Sequence, residues 1–92
     1  MDIAFDFAKN ARNIAQRGLS FERVREFDFE SAHIEVDNRR DYGEVRYLAI
    51  GYVGTRLHVL CFTETRPGIR VISFRKANQR EVKYYGNPLA TD

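Results

Sequence analysis

Basic side chains are concentrated in the segment 65–86, which contains six lysines and arginines but one acid, Glu81. The segment has a charge of +5, whereas the whole chain has a net charge of +2. Most of the segment is predicted to form a strand followed by a helix, so its charges would be held on rigid elements. Cations held in this way can bind a phosphodiester backbone. They could equally be the solvated faces of a strand and a helix. The six basic residues of segment 65–86 are Arg66, Arg70, Arg75, Lys76, Arg80 and Lys83.

The sequence lacks the residue spacing that several kinds of catalytic site require. His33 and His58 are far apart, and no cysteine or histidine pair has the spacing of zinc ligands. Cys61 is the one cysteine, and its apolar surroundings predict a buried, inert thiol. A glycine-rich phosphate loop is also missing. The sequence therefore predicts neither a metal site nor a cofactor.

Metal-free cleavage of RNA needs fewer specialised groups, because RNA supplies its own nucleophile, the 2′-OH. The protein must orient this hydroxyl, stabilise charge on the phosphate and move protons. Arginine is suited to the charge, because its planar guanidinium binds phosphate oxygens in pairs. Arg46, Arg70 and Arg75 fall on predicted strands, which could hold them rigidly. The available proton carriers are His33, His58, Glu64 and the tyrosines.

Caps and hydrophobic periodicity predict the elements that position these residues. An edge strand at 1–5 is followed by a helix that Asp6 begins and Gly18 ends, and then by a shorter helix capped by Ser20. Strands are predicted at 32–37, 44–53, 56–63 and 69–75, with a tight turn at 54–55. Asn78 and Glu81 form the capping box of a last helix. This order predicts a single α+β domain over 1–92 with an antiparallel sheet.

Apolar residues recur at helical spacing in the first helix, and lysine, arginine and asparagine occupy its other side. We expect the first two helices to pack on one face of the sheet through Phe7, Ala11, Ile14 and Phe21. The alternation at 32–37 predicts a half-buried strand. The sequence shows no signal peptide and no apolar run long enough to span a membrane, which favours a cytoplasmic location.

Three segments resemble the BrnT toxins of type II toxin–antitoxin systems. They are FDFAKNARNIAQRGLSFE at 5–22, RRDYGEVRYLAIG at 39–51 and ISFRKANQRE at 72–81. The resemblance implies a RelE-like fold with two N-terminal helices and a C-terminal helix, and an endoribonuclease that inhibits translation. It also implies neutralisation by a BrnA-like antitoxin, through which the complex would bind operator DNA.

The resemblance and the charge pattern together suggest roles for ten of the basic residues and for two tyrosines. The catalytic candidates are Arg46, Arg75 and Arg17. The RNA-binding candidates are Lys9, Arg39, Arg40, Arg70 and Lys76. The antitoxin-binding candidates are Arg66, Arg70, Arg75, Arg80, Tyr84 and Tyr85.

The chain departs from the family pattern near its N-terminus, at Phe5, Phe7 and Arg17, where the family usually has tryptophan, proline and histidine. Arg17 could hold a phosphate, but it is a poor base near neutral pH. A second hypothesis follows, in which the domain has lost catalysis and acts as a binding module in a toxin–antitoxin–DNA complex.

Overall fold

A computed structural model describes residues 1–86 as one five-stranded sheet with helices at its edges and on its faces. The strands are β1 (Asp2–Ala4), β2 (His33–Val36), β3 (Tyr47–Val53), β4 (Arg56–Glu64) and β5 (Gly68–Lys76). Helix α1 (Phe7–Arg17) and a 3₁₀ helix (Phe21–Glu26) lie between β1 and β2, and helix α2 (Gln79–Tyr85) follows β5. The α+β class and the order of elements are as predicted.

The sheet has the order β1-β5-β4-β3-β2. Strands β2 to β5 form the expected antiparallel meander, but β1 pairs with β5 in parallel, so a wholly antiparallel sheet was a wrong prediction. Gly68 permits this pairing, because a Cβ at that position would collide with the backbone of Asp2. The second predicted helix is a 3₁₀ helix, and it ends after Glu26 because the chain turns to an extended residue, Phe27, which bridges Val53.

The predicted caps occur where the sequence indicated them. Asp6 accepts hydrogen bonds from the amides of Ala8 and Lys9, and Gly18 ends α1 in the left-handed region at φ 65°. The Asn78–Glu81 capping box begins α2. Each of these caps depends only on residues that are close in sequence, so the residue types were sufficient to predict it.

The main core lies between one face of the sheet and the segment that contains the 3₁₀ helix. Leu60, Phe62 and Phe74 from the sheet form one cluster with Phe21 and Val24. A smaller cluster on the opposite face contains Leu57, Val59 and Ala77, against which Val82 and Tyr85 of α2 pack. No helix within residues 1–86 is long and apolar enough to cross a membrane.

Helix α1 does not pack as its pattern predicted. Phe21 is buried as expected, but Phe7 is 84 % exposed and Ile14 is 46 % exposed. The helix lies beside the outer edge of β5, beyond the end of β1, and asparagines attach it there. Asn13 Nδ2 donates to the carbonyls of Leu19 and Phe74 at 2.9 and 3.0 Å, and Asn10 Oδ1 accepts from the amide of Phe21 at 2.8 Å. The polar side of α1 therefore faces the protein.

Strand β2 is also more exposed than predicted, since all four of its residues are exposed. It forms the other edge of the sheet, where the ring of Tyr85 from α2 contacts that of His33.

A β-bulge interrupts β5 at Ile72. Cys61 pairs with Ser73, whereas its neighbour Phe62 pairs with Val71, so Ile72 has no partner in the register. Val71 and Phe74 consequently both face the main core, although they are three residues apart. Ile72 and Ser73 are left at a distinct place on the surface, where the candidate site lies.

Candidate functional site

Two open clefts meet at Ile72 and Ser73. The larger cleft, of about 360 Å³, is lined by both residues and by the β2–β3 connection. The smaller, of about 150 Å³, is lined by the same two residues and by α1. The side chains that α1 and the connection contribute include Lys9, Arg12, Arg17, Arg39, Arg40 and Arg46. We call the two clefts together the basic groove.

Asp37 anchors the β2–β3 connection at the floor of the groove. Its buried carboxylate binds the Arg39 guanidinium through two hydrogen bonds of 2.8 Å, and it also accepts from the Arg39 amide. These bonds hold the pKa of Asp37 well below its ordinary value. Asp37 therefore remains a carboxylate that positions Arg39, and it would be a poor proton acceptor.

Glu44 binds two arginines at the other end of the connection. Its carboxylate is 3.0 Å from Arg46 Nε and 2.8 Å from Arg70 Nη2, and these contacts lower the pKa of Glu44. The Arg46 guanidinium lies over the Tyr42 ring at 4.2 Å from its centroid. The prediction that Arg46 lies on a strand is wrong, because β3 begins at the next residue, Tyr47. The contacts with Glu44 and Tyr42 hold its side chain instead.

The cations on the α1 side of the groove are less neutralised by acidic side chains than those on the side of the β2–β3 connection. Lys9, Arg12 and Arg17 form no ion pair with another residue in the described part of the chain. Helix α1 itself contains no acid. This wall of the groove therefore carries unpaired positive charge that an anion could neutralise.

Arg75 lies outside both clefts and is bound to α2. Its guanidinium forms hydrogen bonds of 2.8 and 2.9 Å with the carboxylate of Glu81, the capping-box residue. This contact raises the pKa of Arg75 and lowers that of Glu81. Arg75 therefore connects β5 to α2 in this structure.

The remaining basic and aromatic candidates are spread over the molecule. Arg66 lies in the turn before β5, whereas Lys76 ends that strand, and eight residue steps separate Gly68 from Lys76, roughly 26 Å. Arg80 lies beyond that end, on α2. Tyr84 and Tyr85 end α2, where the Tyr85 ring is 5.2 Å from that of His33 on β2. The antitoxin-binding candidates thus do not form one continuous patch with Arg66.

Most of the proposed proton carriers lie away from the groove. His33 is exposed on β2 beside Glu35, and Glu64 lines a separate cavity with Tyr47. His58 is buried against Phe74, and its burial lowers its pKa. His58 Nδ1 is 2.8 Å from the Arg56 carbonyl, and Nε2 has no hydrogen-bond partner within residues 1–86.

Cys61 is buried under the larger cleft, and burial raises the pKa of its thiol. It is therefore a structural residue, as its apolar surroundings predicted. No cluster of three or more histidine, cysteine, aspartate or glutamate side chains suited to a metal ion occurs in the described residues.

The comparison with protein families identifies the chain. The model of the family described as "Ribonuclease toxin, BrnT, of type II toxin-antitoxin system" matches residues 5–81. The chain belongs to the BrnT family. It is a ribonuclease toxin of a type II toxin–antitoxin system, which implies an RNA target and an antitoxin partner. No curated protein matches the chain.

Five candidates from the sequence lie together in this BrnT groove, namely Lys9, Arg17, Arg39, Arg40 and Arg46. Arg12 and the positioning residue Asp37 were not among the predicted site residues, Tyr42 was predicted only as one of the tyrosines that could carry protons, and Ser73 was given no specific role. Arg12 had a usable signal, because it is three residues from Lys9 and therefore on the same side of a helix. Tyr42 and Ser73 had a weaker one, since each lies in a segment that resembles the family.

Proposed function

We propose that the protein is a metal-independent endoribonuclease whose active site is the basic groove. The observation that carries this proposal is the meeting of the two cation-lined clefts at Ser73. An RNA strand that crosses β5 at this point would have basic side chains on both sides of one phosphate. Phosphate contacts of this kind position a nucleic acid without reading its sequence.

Each group in the groove has a proposed task. Arg46 and Arg17 stabilise the charge that develops on the phosphate during attack by the 2′-OH, one from each side of Ser73. Arg39, Arg40 and Lys9 hold the neighbouring phosphates, and Arg70 and Lys76 extend this basic surface. The hydroxyls of Tyr42 and Ser73 are the groups in the groove that can pass a proton.

Arg75 is proposed to act from the margin of the groove. The charge of Arg39 is close enough to act on the pKa of Arg75 in the lowering direction, against the larger effect of Glu81. Its bidentate contact with Glu81 must rearrange before it can donate both of its Nη groups to a phosphate. The Glu81→Gln variant tests this role, because it weakens the contact while keeping the Arg75 side chain.

The test of the proposed chemistry uses the purified protein, a single-stranded RNA and a DNA of the same sequence. We expect cleavage of the RNA in excess EDTA and none of the DNA, because the nucleophile is the 2′-OH. Cleavage that EDTA abolishes and magnesium restores would show that the mechanism is wrong. Arg25→Ala is the matched control for the groove variants, since Arg25 is an arginine on the 3₁₀ helix outside both clefts.

A catalytically weak binding module is the second candidate. The observation that favours it is the absence of histidine from the groove as described for residues 1–86, where Arg17 takes the position at which the family usually has histidine. In this case the protein would bind RNA and antitoxin in EDTA without cleaving the RNA. The cleavage assay above separates the two functions.

We propose three further properties that the family resemblance implies. They are a RelE-like arrangement of the sheet and helices, a cytoplasmic location and inhibition of translation through RNA cleavage. The antitoxin is proposed to be BrnA-like, to inhibit by covering cations, and to connect the complex to operator DNA. Ribosome profiling after induction would detect the effect on translation, and a protein encoded beside the toxin gene is the candidate antitoxin.

A further inference from the structure

Helix α1 is attached to the protein by its polar side and presents its apolar side to solvent. Asn10 and Asn13 are half-buried and make the attaching hydrogen bonds. Phe7, Ala11 and Ile14 are exposed and recur at the spacing i, i+4, i+7. Residues at this spacing form one stripe along a helix. We call these three residues the α1 stripe.

The stripe has substantial apolar surface. Phe7 is 84 % exposed and makes an edge contact with the Phe5 ring at 5.9 Å between centroids, and Ile14 is 46 % exposed. A large aromatic side chain that has so little covering it is a typical anchor for a partner, because burial of its surface contributes strongly to binding.

The charge around the stripe indicates the chemistry of that partner. Helix α1 carries Lys9, Arg12 and Arg17 and no acid, so its charge is +3. A second copy of this chain would bring an equal positive charge against the first, which opposes self-association through α1. An acidic amphipathic segment would instead bury its apolar side chains on the stripe and place its carboxylates beside these cations.

We propose that the α1 stripe is a docking surface for an acidic amphipathic segment of the antitoxin. The effect of docking on RNA cleavage rests on the proposed function, because Lys9, Arg12 and Arg17 line the smaller cleft next to Ser73. A segment that is seated on the stripe and continues around the helix to the side that carries these three cations neutralises them and closes that side of the groove to RNA. Inhibition is then competitive with RNA.

The stripe forms part of a larger interface. Stable protein complexes bury at least about 1,200 Å² in total, which is more than one side of an eleven-residue helix provides. The antitoxin therefore extends from the stripe across the smaller cleft toward Ile72. The rival docking surface is the C-terminal basic set, represented by Arg70 and Arg80.

The experiment measures binding of the full-length toxin to the protein encoded beside its gene, by calorimetry at two salt concentrations. The test variant is Phe7→Ser/Ile14→Ser. Its control is Ile34→Ser/Val36→Ser, which removes two apolar side chains from strand β2 that are 43 % and 46 % exposed, close to the exposure of Ile14. Thermal unfolding of both variants establishes that each is folded.

We expect the test variant to bind the antitoxin at least about 30-fold more weakly, which is the loss typical of a hot-spot residue. The control is expected to bind like the wild type. Free test variant should cleave RNA at the wild-type rate and resist inhibition by the antitoxin. Wild-type affinity in the test variant overturns the proposal, and so does a greater loss in the β2 control.

Two further readouts separate the alternatives. Lys9→Glu/Arg12→Glu should weaken the complex and reduce its dependence on salt, because it removes the charges that attract the carboxylates. If Arg70→Glu/Arg80→Glu abolishes binding while the α1 variants retain it, the C-terminal set is the docking surface and the proposal fails. A toxin dimer that the α1 variant dissociates would show a second copy on the stripe, which also overturns it. Failure of the wild type to cleave RNA would refute the proposed function but leave the binding comparison intact.

Discussion

The two α-helices of this BrnT protein are attached to the sheet in opposite ways. Helix α2 has seven residues, and it packs Val82 and Tyr85 against an apolar cluster on the sheet and is fastened to β5 by the Arg75–Glu81 pair. Helix α1 has eleven residues, yet it contributes no side chain to either apolar cluster of the described chain, and asparagine side chains attach it. Helix α2 therefore stabilises the fold, whereas α1 builds one wall of the basic groove.

An amphipathic pattern shows that a helix has two different sides, but it does not show which side faces the protein. In α2 the apolar side is inward, as for most surface helices. In α1 the polar side is inward because the helix lies against the edge of β5, where the carbonyl of Phe74 needs a hydrogen-bond donor. Variants on the two sides of the molecule should therefore change different properties.

The largest expected effect is on the groove side, where Arg46→Ala should slow RNA cleavage about 100- to 1000-fold, or about 2.7–4 kcal/mol. The reason is the loss of a preorganised charge at the reacting phosphate. The melting temperature should change little, since the side chain is held by surface contacts with Glu44 and Tyr42. Single-turnover kinetics measure the effect, and Arg25→Ala is the control. A folded Arg46→Ala that cleaves RNA at close to the wild-type rate would remove Arg46 from the mechanism.

The next largest effect is expected where α1 joins the sheet. Asn13→Ala should lower the free energy of unfolding by about 1–3 kcal/mol, because it leaves the carbonyls of Leu19 and Phe74 without this donor. Ile14→Ala, one residue further along the helix, should change it by less than about 0.5 kcal/mol because Ile14 is exposed. Urea unfolding compares the two variants. If Ile14→Ala proves the more destabilising, α1 packs through its apolar side and our description of it is wrong.

On the α2 side, Glu81→Ala should destabilise the protein by about 0.5–2 kcal/mol, as expected for the loss of a helix cap. The substitution removes both the capping box and the partner of Arg75. Glu81→Gln keeps a hydrogen-bond acceptor and should recover part of this stability. Comparison of the two by thermal unfolding separates the cap from the charge. A cleavage rate that rises in folded Glu81→Gln would place Arg75 in the reaction, because the released guanidinium can then donate to a phosphate, whereas an unchanged rate would place Arg75 outside it.

The smallest expected effect is the pH dependence that comes from the buried His58. Burial holds the pKa of His58 below its ordinary 6.5, so at intermediate pH the unfolded state binds the proton more readily. Its contribution to stability is therefore complete above about pH 6.5 and is lost as the pH falls through the folded-state pKa. The lowered pKa values of Asp37 and Glu44 act at lower pH, below their ordinary 3.8 and 4.5. Urea unfolding between pH 5 and 7 should show a shallower dependence for His58→Phe than for the wild type, and equal slopes would contradict it.

The sequence was sufficient for features that depend on neighbouring residues. Asp6, Gly18 and the Asn78–Glu81 box fixed the helix ends, and Gly54 with Thr55 fixed the hairpin between β3 and β4. Features that depend on distant parts of the chain were not accessible. The parallel pairing of β1 with β5 brings together segments more than sixty residues apart, and no local pattern encodes it.

The candidate site likewise combines features that depend on neighbouring residues with features that depend on distant parts of the chain. Charge and resemblance identified Lys9, Arg17 and Arg46 as candidates, and these three line the groove. The charge pattern alone did not reveal that Arg75 is bound to Glu81, because that contact depends on where α2 returns to the sheet. The groove itself arises from the bulge at Ile72, which the alternation of β5 did not indicate.

This bulge makes β5 unusually sensitive to a change in length. Deletion of Ile72 would restore a regular strand in which either Val71 or Phe74 must leave the core, since the side chains of a regular strand alternate between its faces. Insertion of a residue elsewhere in β5 would shift the same parity. Among homologues that keep this groove, β5 is therefore expected to accept substitutions far more readily than insertions or deletions, and gaps in their alignments should fall in the β2–β3 connection instead.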